Sequence, residues 1–309
     1  MKTAFLFPGQ GSQFAGMGKS LAETFPAARE RFEQADDALG FSLSRLCFEG
    51  PGEDLKRTEN TQPALVAVSI AAWTVLKEQT GQPDYVAGHS LGEYSALVAA
   101  GSLDFADALR LVRKRGRYMQ EAVPEGVGAM AALLKLPADK LDEVLARAAQ
   151  SEVVTAANLN SADQVVIAGN AGAVERAMEL AKAAGAKRAV RLPVSAPFHC
   201  PLMRPAQERL KADLNACNFA DLRVPLVNNW QAREIHSGSE AREGLFQQVP
   251  NPVRWMESME YLAAQGMDRW FEAGAGAVLS GLLRTIVTGA KCIPFGEAKD
   301  MEKVIEYLA

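Results

Sequence analysis

Tyr85-Val86-Ala87-Gly88-His89-Ser90-Leu91-Gly92-Glu93-Tyr94 is the stretch on which the reading of this chain turns. A short apolar strand, Tyr85 to Ala87, runs into Gly88-His89-Ser90-Leu91-Gly92. A helical pattern (Leu91, Tyr94, Leu97, Val98) leaves it. This is a G-x-S-x-G turn between strand and helix. Glycine is needed on both flanks of the serine, because a side chain there would collide with the strand or the helix. The turn lifts the hydroxyl to the top of a sheet and aims the first helical amides over it, so Ser90 is a candidate nucleophile. A second reading stays open on these residues alone. Ser90 and Glu93 also spell S-x-x-E, a capping box that merely starts a helix.

The 309 residues fit one large domain or two smaller ones, and 48% hydrophobic with 23% charged residues is ordinary for a globular chain. A net charge of −4 gives no overall basic field, which argues against nucleic acid as a partner. The longest apolar run, Ala64–Leu76, contains Ser69 and Thr74 and falls short of the roughly 20 residues a membrane span needs. Met1-Lys2-Thr3-Ala4-Phe5 enters a strand with no leader or cleavage site, so a cytoplasmic protein without a membrane partner is expected. Cys47, Cys200, Cys217 and Cys292 lack C-x-x-C spacing and read as free thiols. With only His89, His199 and His236 and no H-E-x-x-H, no metal is expected.

Around the elbow, strands alternate with helices, which predicts a parallel sheet covered on both faces. Thr3–Phe7 reads as a buried strand, residues 18–39 and Ser69–Thr80 as helices, and Phe105–Gln120 as another. From 124 to 195 the rhythm changes. Ala129–Leu134, Val153–Ala157, Gln164–Ala168 and Lys187–Leu192 are strand-like, with helices at Ala138–Ala149 and Ala171–Ala184. The order β-α-β-β-α-β is the ferredoxin-like unit. Afterwards Leu226–Asn228 and Arg269–Glu272 read as strands, Asn251–Gln265 and Ala277–Val287 as helices.

A nucleophilic serine needs a base. His89 adjoins Ser90 in the turn, and neighbours there rarely point together. His236 lies in a polar stretch read as an exposed loop. His199, in Pro197-Phe198-His199-Cys200-Pro201, is left as the candidate base, with a hydrogen-bonded structural histidine as the alternative. No histidine follows His236, so the Ser, Asp/Glu, His order of ordinary α/β-hydrolases fits poorly. A carbonyl could instead accept from Nδ1 of His199 and leave Nε2 facing the serine. Ala108, Val112, Arg115 and Met119 form the apolar stripe of their helix, so Arg115 points into the core. A buried guanidinium needs an anion, which could be an internal acid or a ligand carboxylate.

These motifs resemble a known family, the malonyl-CoA:acyl carrier protein transacylases, over essentially the whole chain. The likeness rests on Phe7-Pro8-Gly9-Gln10-Gly11-Ser12-Gln13, Thr61-Gln62-Pro63, the elbow, Arg115-Gly116 and Asn158-Leu159-Asn160. It continues through Gln164 to Gly169, Pro197-Phe198-His199, Gln248 to Val253 and Glu272-Ala273-Gly274-Ala275-Gly276. The resemblance implies an α/β fold: a large α/β-hydrolase-like subdomain with a parallel sheet (1–123 and 196–309) and an inserted small ferredoxin-like subdomain (124–195). It implies Ser90 as acylated nucleophile, His199 as base and the Gln248 backbone carbonyl as orienter. Gln10 and Leu91 amides become the oxyanion hole, Arg115 the malonyl carboxylate clamp, and Phe198 and Gln62 substrate-binding residues. The implied activity moves malonyl from malonyl-CoA to the phosphopantetheine thiol of holo acyl carrier protein in fatty-acid synthesis. Coenzyme A thioester is then substrate, with no cofactor; a monomer is the default expectation, which the sequence does not fix. The alternatives are a stand-alone polyketide acyltransferase, a thioester hydrolase and a non-enzymatic carrier-binding module. Arg113, Lys114, Arg117, Lys187, Arg188 and Arg191 are candidates for a basic carrier-docking patch.

Overall fold

The computed structural model describes residues 1–194 and 196–309. Ser195, the last residue of the expected insertion, lies outside the described residues. The strands, in chain order, are β1 (Lys2–Phe7), β2 (Tyr85–Gly88), β3 (Gly128–Leu134), β4 (Val154–Ser161), β5 (Gln164–Asn170), β6 (Arg188–Arg191), β7 (Leu226–Val227), β8 (Glu234–Ile235), β9 (Met267–Ala273) and β10 (Cys292–Phe295). Six form one sheet in the order β10-β9-β1-β2-β7-β8, parallel except for the β7–β8 edge.

The two faces of this sheet follow from the period-2 alternation of β1. Phe5 and Phe7 join the larger core with the helix Thr58–Thr80, while Ala4 and Leu6 join a second core with Trp255, Met259 and Leu283. Both faces are covered, which is why the strand is apolar throughout. The helix Thr58–Thr80 starts eleven residues before the expected Ser69. Pro63 lies inside this helix, and near the helix start it removes one hydrogen bond only. Residues from Thr61 to Leu76 are all buried around it. The helical patterns expected near 18–39 form two helices, Lys19–Thr24 and Pro26–Leu39, separated where Pro26 forces Phe25 to be extended.

The remaining four strands form a separate antiparallel sheet in the order β4-β5-β3-β6, the ferredoxin-like order. Helices Leu141–Ala149 and Ala171–Ala183 cover it and share a core with Ala131, Leu133 and Ile167. This sheet touches the large part where Val253 bridges to Asn158 on β4, with hydrogen bonds from Leu159 N to Val253 O (2.9 Å) and Val253 N to Ala157 O (2.8 Å). That bridge corrects the helix expected over Asn251–Gln265, which begins only at Trp255. Val253 serves the bridge to β4 instead. Among the described residues no helix is long and apolar enough to cross a membrane.

Candidate active site

The elbow forms as its glycines require. A Cβ on Gly88 would run into the backbone of Gly92, and one on Gly92 into the carbonyl of Phe7. Between them Ser90 takes a left-handed backbone, φ 51°, which a non-glycine residue adopts only when the surroundings impose it. The capping-box reading fails here. An N-cap serine is extended, whereas Ser90 is not, and its backbone N–H goes to Oδ1 of Asn229 at 2.6 Å rather than to Glu93.

His199 arrives from the loop after β6, also at a left-handed φ of 59°. Its Nε2 stands 2.7 Å from Ser90 Oγ, and its Nδ1 stands 2.9 Å from the backbone carbonyl of Gln248. A carbonyl only accepts, so Nδ1 carries the proton and Nε2 is left to accept from the serine hydroxyl. Burial, then the positive charge of Arg115, pushes the imidazole pKa down to about 3. The ring is therefore neutral, in its proton-accepting form, across the physiological range. His89 turns the other way and bonds through Nε2 to Asn160 Oδ1 at 2.8 Å, a structural role as expected. His236 is exposed, beside Glu234 on β8.

Arg115 is 2% exposed, as its stripe on the helix Phe105–Glu121 predicts. Nη1 donates to Gln62 Oε1 at 2.9 Å. Nη2 donates to Gln248 Oε1 at 2.9 Å and to Ser90 Oγ at 3.2 Å. These partners are neutral. Among the described residues no internal acid pairs with Arg115 directly, so that alternative is not what the structure gives. The guanidinium therefore sits beside the serine with its charge unpaired by any of these contacts. It reaches there because Gly116 lets its helix touch the helix Thr58–Thr80. A Cβ at Gly116 would come 2.6 Å from the Thr58 carbonyl oxygen and 2.9 Å from Glu59 Cα. Gly116→Ala is expected to push the helices apart at a cost of about 1–3 kcal/mol. A lower melting temperature would be seen; an unchanged melt contradicts the close-approach argument.

Gln10 and Leu91 flank the serine from two loops, and among the described residues neither backbone amide donates a hydrogen bond. Gln62, Phe198, Met130 and Leu192 help line a cavity of about 90 Å³ over Ser90. It opens beside a larger cavity of about 830 Å³ in the seam between the two sheets, where Gln10, His89 and Asn158 line both. Lys187 and Arg188 line the seam cavity. The other basic candidates lie away from that seam cavity. Lys114 pairs with Asp213 (2.5 Å), Arg191 with Glu175 (3.5 Å), and Arg113 lies over the Phe41 ring. Arg117 lines a separate cavity with Arg191.

Two residues beneath the serine have roles that the sequence reading did not give them. Asn229, just past the C-terminal end of β7, accepts from Ser90 N and donates to the Gly88 carbonyl at 2.7 Å. The signal was its place at the carboxyl ends of parallel strands, where sites gather. Glu93 is fully buried, and that burial raises its pKa to about 7 against the pull of the Asn229 amide, Gln248 and Arg115.

Serine, imidazole, paired amides and a guanidinium fork around one small cavity define the class: an acyl-transferring serine enzyme. The sequence profile of the acyl transferase domain matches residues 4–291. The malonyl CoA-acyl carrier protein transacylase of Bacillus subtilis is 49% identical over 308 residues, covering 99% of this chain and 97% of that protein. The crystal structure of an acyl carrier protein S-malonyltransferase from Vibrio cholerae superposes with a TM-score of 0.95 at 45% identity, covering 98% of this chain and all of that one. A type II polyketide acyl-carrier protein in complex with its malonyl-transacylase also matches. Its TM-score is 0.96 at 45% identity, with 99% of this chain and all of that one covered. The chain belongs to the acyl transferase family, and within it to the malonyl CoA-acyl carrier protein transacylases.

Proposed function

We propose that the protein transfers malonyl from malonyl-CoA to the phosphopantetheine thiol of an acyl carrier protein, through a malonyl ester on Ser90, to supply fatty-acid synthesis. The observation that carries this reading is the Ser90–His199–Gln248 chain of 2.7 and 2.9 Å with the Arg115 fork 3.2 Å from the same hydroxyl.

Arg115 and Gln62 anchor the free carboxylate of the malonyl group. His199 Nε2 takes the proton of Ser90 as Oγ attacks the thioester carbonyl. The amides of Gln10 and Leu91 hold the oxyanion. The C–S bond then breaks, and the imidazolium returns its proton to the departing thiolate of coenzyme A. In the second half the carrier's thiol gives its proton to His199 and attacks the ester carbonyl. Ser90 leaves and recovers the proton. Phe198 borders the acyl cavity, where its ring crowds an α-methyl group and favours malonyl. The chemistry needs no cofactor beyond the thioester, and we read the protein as a cytoplasmic monomer. Residues 124–195 act as a small subdomain set into the large one, 1–123 with 196–309, and the seam between them admits the thioester arm. Lys187 and Arg188 in that seam suit an acidic carrier.

The assay that tests this offers malonyl-, methylmalonyl- and acetyl-CoA, each with and without holo carrier protein. Malonyl transfer that requires the carrier is expected. Release of free malonate in place of transfer would make the protein a hydrolase, and preferred transfer of methylmalonyl would make it a polyketide-type acyltransferase.

The depressed His199 pKa of about 3 sets a pH dependence. The acid limb arises where the folded imidazole gains a proton, so it lies far below the ordinary histidine value. Acylation of the free enzyme by malonyl-CoA should therefore show no histidine-like fall between pH 8 and pH 5 in stopped-flow measurements. A limb centred near the unperturbed histidine value contradicts the buried, neutral base.

A further inference from the structure

Below the serine, on the helix Gly92–Ala99, lies a buried acid that none of the acyl-transfer steps uses. Oε2 of Glu93 accepts from Gln248 Nε2 at 2.8 Å and from the Asn229 backbone N–H at 3.0 Å. The same Gln248 Nε2 donates to the Ser90 carbonyl at 3.0 Å, while Gln248 Oε1 accepts from Arg115 Nη2 at 2.9 Å. The amide thus stands between a guanidinium and a carboxyl group. Turned over, it would face its NH2 to the guanidinium, and its oxygen to the carboxyl and to the Ser90 carbonyl. Each of those contacts is repulsive or unsatisfied, and in a buried site neither is screened by water.

We propose that Glu93 is a positioning residue for malonyl selection: it pins the Gln248 amide oxygen-first onto Arg115 and so holds the guanidinium fork aimed into the acyl cavity. The inference rests on Arg115 as the malonyl clamp. The pinning takes one oxygen of Glu93. The other, Oε1, is buried and has no hydrogen-bond partner among the described residues. Glutamine at 93 can therefore set its amide oxygen where Oε2 stands and its nitrogen where Oε1 stands. Methionine at 93 has similar length and only a weak sulfur acceptor, and leaves the Gln248 amide free to turn.

The experiment measures acylation by malonyl-CoA and by acetyl-CoA, and reads the ratio of their kcat/KM values. Glu93→Met is expected to lower that ratio by about tenfold or more, because a small misplacement of an orienting group is costly. A merely structural role would lower both substrates together and leave the ratio intact. Glu93→Gln is expected to restore the ratio. Gln248→Met should lower it like Glu93→Met, and the double variant should fall no further, because both act through one amide. If Glu93→Met does not fold, Glu93→Ala, which leaves room for a water on the Asn229 amide, carries the same prediction. An intact ratio in the Met or Ala variant, a lost ratio in Glu93→Gln, or multiplied losses in the double variant overturns the proposal. Arg115→Ala runs alongside. If it keeps its malonyl preference, the clamp itself fails and this inference with it; if it loses the preference while Glu93→Met does not, only the role of Glu93 fails.

Discussion

Ser90→Ala should abolish malonyl transfer and leave the fold intact. The elbow sets this hydroxyl in the small cavity, 2.7 Å from the His199 base nitrogen. Removing the nucleophile from a working serine–histidine pair costs about six orders of magnitude in rate. The fold should survive because the elbow is held by backbone contacts: the Gly88–Gly92 approach and the Asn229 clasp on Ser90 N and Gly88 O do not involve the side chain. His199→Ala should lose nearly as much, since the two act as one unit. Transfer assays beside thermal melts check this. Residual transfer at a tenth of the normal rate, from a folded Ser90→Ala protein, would mean that another group carries the acyl chain. Cys200 is the nearest such thought. Its Sγ bonds to the Pro197 carbonyl at 3.1 Å and burial raises its pKa to about 11, so it is a poor nucleophile.

Arg115→Ala should erase the preference for malonyl over acetyl thioesters. The lost discrimination is expected at roughly 2–5 kcal/mol, the cost of truncating one partner of a buried charge pair. Acetyl transfer should change far less, because acetyl offers no carboxylate. Arg115→Lys should recover only part, since an ammonium cannot make the two-pronged contact. A second consequence follows from the same charge. Arg115 helps hold the His199 pKa down, so its removal shifts the acid limb of acylation upward. Competition assays with mixed thioesters measure the first effect, and rate profiles in acid buffers the second. Full malonyl preference in the alanine enzyme contradicts the clamp.

Much of this was legible in the residues. The elbow could be read because glycine at 88 and 92 has one steric reason, and the structure shows both collisions. Arg115 could be read because helical spacing placed a charge on an apolar stripe. The histidine assignment came by elimination among three. What misled was local pattern without context. S-x-x-E occurs at Ser20, Ser90 and Ser237, and the last two part ways in the structure. At Ser237 the backbone is extended and the capping box forms, starting the helix Gly238–Gln248 in a stretch read as a loop. At Ser90 the left-handed backbone forbids it. Sequence alone does not carry that φ, because the Phe7 loop and Asn229 impose it from far away. The same holds for Val253, drawn out of a helix by its bridge to Asn158. The roles of Asn229 and Glu93 were missed for the related reason that their partners, Ser90 and Gln248, are brought to them only by the fold.

The central claim is a malonyl ester on one named hydroxyl, and the direct measurement is intact mass after brief exposure to malonyl-CoA, followed by mapping of the modified peptide. One malonyl adduct on Ser90 is predicted, discharged when holo carrier protein is added. An adduct on any other residue, or brisk carrier malonylation with no covalent species trapped by rapid quench, would contradict it.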